Sequence, residues 1–125
     1  MCCEMTALRL IPLPLHGALE MLVGMFLMAA PVALGLGPAP SVLGFVIGAL
    51  AVGMALSSTA TSSEVGNRGT LSVSAHHSVD YGLVTGLLGT AAVLGLAGYD
   101  RATIVFAAAG LAQLALNLTT RYSQR

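Results

Sequence analysis

The stretch HGALEMLVGMFLMAAPVALGL, residues 16–36, decides the fold. It carries one charged residue, Glu20, and is otherwise almost entirely apolar. A helix rising 1.5 Å per residue needs about 20 residues to cross about 30 Å of hydrocarbon, and this run is that long. Three further runs repeat the pattern: SVLGFVIGALAVGMALS (41–57), HHSVDYGLVTGLLGTAAVLGLA (76–97) and ATIVFAAAGLAQLALNLT (102–119). None alternates with period two, and Ala, Leu and Gly outnumber the β-branched residues, so strands are a poor reading. Backbone groups in lipid must be satisfied within the segment, which leaves helices.

Composition agrees. Of 125 residues, 56 % are hydrophobic and 8 % charged, with a mean hydropathy of +0.87. A soluble domain carries about 25 % charged residues, so this chain could not clothe a water-facing surface, and lipid is the expected partner. Five arginines, no lysine and five acids balance to zero, which gives no footprint for nucleic acid. The first run is too long for the ~7–15 apolar residues of a secretory leader and contains Glu20, so it reads as a span.

The joints predict two hairpins in a single domain, 1–125. GLGPAPS (35–41) and AGYDR (97–101) are tight connections punctuated by Gly or Pro. Between the hairpins, residues 57–74 form a Ser- and Thr-rich linker. Arg9, Arg68, Arg121 and Arg125 lie at the termini and in the linker, whereas the short loops hold only Arg101. The positive-inside rule therefore expects both termini in the cytoplasm.

The chain also repeats itself. Shifted by sixty, His16 meets His76, Glu20 meets Asp80, Leu27 meets Leu87 and Leu34-Gly35-Leu36 meets Leu94-Gly95-Leu96. Shifted by sixty-one, Leu50-Ala51 meets Leu111-Ala112 and Ser58-Thr59 meets Thr119-Thr120. The expectation is an all-α membrane protein of four transmembrane helices, built as two tandem hairpin repeats, about 9–59 and 70–122. Two helices per unit keep the copies parallel, so both His–carboxylate pairs should lie at one depth near the cytoplasmic face.

RLIPLPLHGALEMLVGMFLMAAPVALGL (9–36), the His-x3-Asp of the second copy and TTRY (119–122) resemble the small four-helix bacterial membrane proteins of the SPW-repeat type. Where that family carries Ser-Pro-Trp, this chain has Ala30-Pro31-Val32 and Thr90-Ala91-Ala92. The resemblance implies an integral protein of the bacterial inner membrane and supplies no catalytic residue.

A histidine and a carboxylate at i and i+4 share a helix face. Extended, the two faces run His16, Glu20, Val23/Gly24, Leu27, Pro31 and His76, Asp80, Leu83/Val84, Leu87, Ala91. If they meet, two imidazoles and two carboxylates converge, with His77 nearby. The first reading is structural: the helix dipole favours a carboxylate in the first turns by roughly 0.3–1 kcal/mol, and the pair can bond within its own helix. Proton or ion handling is the alternative, because ionisable residues within a membrane are functional candidates. Two imidazoles with two carboxylates also suit Zn²⁺ or a similar ion, though nothing in the spacing requires one.

Gly44-x3-Gly48 and Gly82-x3-Gly86 have helix-contact spacing, and Pro31 should kink the first helix or loosen its ladder. Gln113 and Asn117 are expected at helix interfaces. Cys2 and Cys3, beside a cytoplasmic terminus, would stay reduced. No phosphate loop, Cys-x2-Cys, His-Glu-x2-His or nucleophile elbow occurs. The reading is a structural or accessory membrane protein that is not an enzyme and uses no cofactor, acting through contacts with other membrane proteins or itself. A small transporter or channel component is the alternative.

Overall fold

The computed structural model describes residues 10–63 and 73–120, which form four helices: α1 (Leu13–Ala33), α2 (Pro38–Ser63), α3 (Val73–Leu96) and α4 (Asp100–Thr119). Each contains a segment of at least 20 residues that is long and apolar enough to cross a membrane. Arg9, Arg68, Arg121, Arg125, Cys2 and Cys3 lie outside the described residues.

The helices begin earlier than the apolar runs. Pro12 caps α1 and Pro14 sits in its first turn, where a missing N–H costs no helical bond. Pro38 likewise opens α2. The polar linker is shorter than expected, because α2 runs on to Ser63 and α3 starts at Val73.

Both hairpin turns are built alike. Leu36 N–H donates to Pro31 O and Gly35 N–H to Val32 O; at the second turn Tyr99 N–H donates to Leu94 O and Gly98 N–H to Gly95 O. These are Schellman caps, whose C′ residue needs positive φ, and Gly35 (60°) and Gly98 (85°) supply it. The turn glycines are therefore Gly35 and Gly98. The sequence match of Leu34-Gly35-Leu36 with Leu94-Gly95-Leu96 does not align them, because α3 runs three residues further before it is capped.

Within the first hairpin, α1 and α2 meet backbone to backbone. A Cβ on Gly24 would come within 2.7 Å of Gly48 O, and one on Gly48 would strike Gly24 O and Met28. Gly44 lies against Leu27 O, the carbonyl that Pro31, lacking an N–H, leaves without its helical donor. Pro31 therefore loosens the ladder without ending α1, and Gly44 covers the loosened point. Gly82 and Gly86 are a correction. A Cβ at either would meet nothing within 4 Å, so among the described residues that pair makes no close helix contact. On α4 the small contact residue is Gly110, against Leu87 and Leu88.

The apolar core gathers Leu27, Leu87, Ala91, Leu94, Phe106 and Ala109 between the hairpins. Large apolar side chains such as Phe26, Phe45, Leu50, Val93, Ile104 and Leu111 point outward. The buried set instead includes His16, Glu20, His76, Asp80, Gln113, Asn117 and Thr120. α1 packs most extensively on α2, and α3 on α4; α1 against α4 joins the hairpins, with a slighter contact between α2 and α3.

Two glycines give opposite expectations. Gly48→Ala should destabilise the bundle by about 1–3 kcal/mol through overpacking against Gly24 and Met28. Gly82→Ala should be neutral or stabilising by up to about 1 kcal/mol, from helix propensity alone. Reversible unfolding in detergent checks both. Equal effects would contradict the close α1–α2 contact.

Candidate functional site

His16 and His76 each lie three residues past the start of their helix, and Glu20 and Asp80 one turn further. The faces continue inward as Gly24, Leu27 and Pro31 on α1, and as Val84, Leu87 and Ala91 on α3, all buried. With about 1.5 Å rise per residue, Leu27 sits roughly 16 Å along the helix from His16. The polar residues therefore occupy one end of the interior, and an apolar plug closes it from below.

The four side chains converge. One potential ligand atom from each of His16, Glu20, His76 and Asp80 lies within 4.8 Å of the others, and all four residues are buried. His16 Nε2 is 3.0 Å from Asp80 Oδ2. His76 Nε2 is 3.4 Å from the same oxygen and 3.8 Å from Glu20 Oε2. The two rings stand edge-on with centroids 5.9 Å apart. His77 does not join them; it is half-buried and its ring tilts against Tyr81, centroids 5.0 Å apart.

The shortest contact crosses between helices. His16 pairs with Asp80 of α3, whereas the i,i+4 pair His76–Asp80 is longer. The expected dipole stabilisation also falls away. Neither α1 nor α3 has an acid in its first turn, and the effect fades beyond that turn. Desolvation of each buried charge costs several kcal/mol, so the partners inside the cluster must supply the compensation.

Thr120, which sequence reasoning matched to Thr59 and did not place at the site, completes the network. Its hydroxyl donates to Leu116 O at 2.6 Å. Its oxygen lies 2.7 Å from His16 Nδ1, and with its single hydrogen engaged it can only accept there. His16 therefore carries its proton on Nδ1 and turns Nε2 toward Asp80. One proton lies between Nε2 and Oδ2, on the ring or on the carboxyl group. Neither nitrogen of His76 makes a hydrogen bond, although both are buried, and the buried carboxyl group of Glu20 faces that of Asp80.

Thr120 is also the last of a polar row. Gln113, Asn117 and Thr120 follow at helical spacing on the buried face of α4. Gln113 Nε2 donates to Asn117 Oδ1 at 3.3 Å, one turn further along α4. Nearby, Ile11 N–H donates to Thr119 O at 3.0 Å, bringing the approach to α1 onto the end of α4. That polar row was the available signal for Thr120.

No protein-family model, curated protein or solved structure matches this chain.

Thr120→Val keeps the shape and removes the acceptor for His16 Nδ1–H. It should cost about 1–3 kcal/mol of stability, the penalty for stranding a buried donor. Thr119→Val, where the hydroxyl bonds only carbonyls of its own helix, should cost less than half as much. Chemical unfolding of the two variants side by side checks this, and equal losses would remove Thr120 from the network.

Proposed function

We propose that this is a structural or accessory protein of the bacterial inner membrane whose two helical hairpins are clasped together by the His–carboxylate cluster. The observation that carries the reading is the pair of bonds from His16, to Asp80 of α3 and to Thr120 at the end of α4. One side chain of the first hairpin thereby engages both helices of the second. The complete burial of His16, Glu20 and Asp80 favours a closed bundle over a transport pathway. The exterior of apolar side chains, interrupted by the exposed glycines of α3, leaves lipid and other membrane helices as the partners.

The hairpins are read as two copies of one ancestral unit, of the SPW-repeat type. Buried positions recur at a spacing of sixty between α1 and α3. Between α2 and α4 the recurrence is sixty-two: Pro40, Gly44, Gly48, Ala51 and Ala55 correspond to Ala102, Phe106, Gly110, Gln113 and Asn117. This replaces the shift of sixty-one. The cluster end faces the cytoplasm in this reading, since four of the five arginines flank it in sequence.

Two experiments test the proposal. In detergent, His16→Gln and Asp80→Asn should be non-additive, coupling by about 0.5–3 kcal/mol as contacting residues do; additivity would separate the hairpins and end the clasp reading. For orientation, single cysteines at Ala39 and Asn67, in a background without Cys2 and Cys3, are probed with an impermeant thiol reagent. Ala39→Cys should label in intact cells and Asn67→Cys only after lysis. The reverse pattern overturns the topology.

A further inference from the structure

We propose that His16 Nε2, His76 Nε2 and one carboxylate oxygen each from Glu20 and Asp80 form a four-coordinate site for a borderline divalent transition-metal ion of the Zn²⁺ class. The inference rests on the clasp reading for the convergence of α1 and α3, and adds the ion that the cluster is built to hold.

Geometry comes first. In a tetrahedral site with bonds of 2.0–2.2 Å, neighbouring ligand atoms stand roughly 3.3–3.6 Å apart. Three of the separations here are 3.0, 3.4 and 3.8 Å, and one ligand atom from each of the four residues lies within 4.8 Å of the others. The 3.4 and 3.8 Å contacts are too long for good hydrogen bonds and fit the edges of a coordination polyhedron.

A second observation points the same way. The fully buried carboxyl group of Glu20 lies against that of Asp80, and both nitrogens of His76 are buried without a hydrogen bond. An ion at the centre of the cluster gives one oxygen of Glu20 and one nitrogen of His76 a partner. Charge agrees, because the ion displaces the proton held between His16 Nε2 and Asp80 Oδ2, and two neutral imidazoles, two carboxylates and a divalent ion then sum to zero. That is the combination a low-dielectric interior tolerates best.

The donor set selects the ion. Two imidazole nitrogens are too soft for Mg²⁺ or Ca²⁺, which take oxygen, and the absence of thiolate or thioether among the ligands disfavours Cu⁺. Four protein ligands close the site, as in structural zinc centres. Thr120 serves as the outer-shell partner: anchored on Leu116 O, it accepts from His16 Nδ1–H and holds Nε2 inward. Ligating histidines are fixed in this way. The His76 side chain, 5 % exposed against none for the carboxylates, marks the point nearest to solvent.

The test uses the full chain in detergent, stripped with chelator and then given Zn²⁺ or Mg²⁺. One Zn²⁺ should bind per chain and raise the unfolding temperature, while Mg²⁺ at equal concentration should not. Glu20→Gln is the decisive variant, because it removes one ligand and leaves the bonds of His16 to Asp80 and Thr120 in place. It should abolish both stoichiometric binding and the Zn²⁺-dependent shift while the stripped protein stays folded. Thr120→Val should weaken Zn²⁺ by roughly 10–100-fold. Absence of stoichiometric Zn²⁺, an equal response to Mg²⁺, or undiminished binding in Glu20→Gln overturns the site. The coupling of His16 with Asp80 in stripped protein reports on the clasp separately.

Discussion

Nothing in the hydrocarbon core of a membrane can hydrogen-bond to a polar side chain except the protein itself, and this chain puts two carboxylates and two imidazoles in its interior. The contact of His16 with Asp80 is the arrangement on which the rest depends. It requires α1 and α3 to turn particular faces toward each other, and His16 extends the requirement to Thr120 at the far end of α4. A rotation of α1 by one residue, about 100°, would carry His16 and Glu20 out of the cluster and away from Asp80 and Thr120. The cluster thus selects one rotational setting of the helices.

Selection of a setting is a different matter from raw stability. A buried ionic group is often no better than a hydrophobic replacement of the same shape, yet removing one partner costs about 3–5 kcal/mol. Within each hairpin the close approaches are made by small residues: Gly24 with Gly48, Gly44 with Leu27 O, and Gly110 with Leu87 and Leu88. Lipid is as apolar as a leucine side chain, so such contacts hold helices together by fit and not by exclusion from water. The glycines set how near the helices of a hairpin come, and the polar cluster sets how the hairpins face.

The helices were legible because their signal is length and composition, and lipid leaves the backbone one choice. The buried faces were legible from the i,i+4 spacing of His16 with Glu20 and His76 with Asp80, continued through Leu27 and Leu87. Partners across helices were not. Spacing within a helix favours His76–Asp80, whereas rotation and depth decide that His16 reaches Asp80 first. Gly82-x3-Gly86 has the same spacing as Gly44-x3-Gly48 but lies on the outer side of α3, and a helix that is apolar all round carries little mark of which side faces inward. The polar row Gln113, Asn117, Thr120 marks the buried face of α4, but that Thr120 meets His16 follows only once α4 is placed beside α1. The turns at Gly35 and Gly98 follow helix length, which a fixed repeat shift does not track.

α1 and α3 bring their polar residues together inside the bundle. The chain has three histidines, so protein labelled with ¹³C and ¹⁵N only at histidine, reconstituted in lipid bilayers, gives a direct reading by solid-state NMR. The rings of His16 and His76, whose centroids are 5.9 Å apart, should give a through-space correlation, with a protonated Nδ1 on His16. Correlations confined to His76 and its neighbour His77, with the His16 ring isolated, would contradict this convergence.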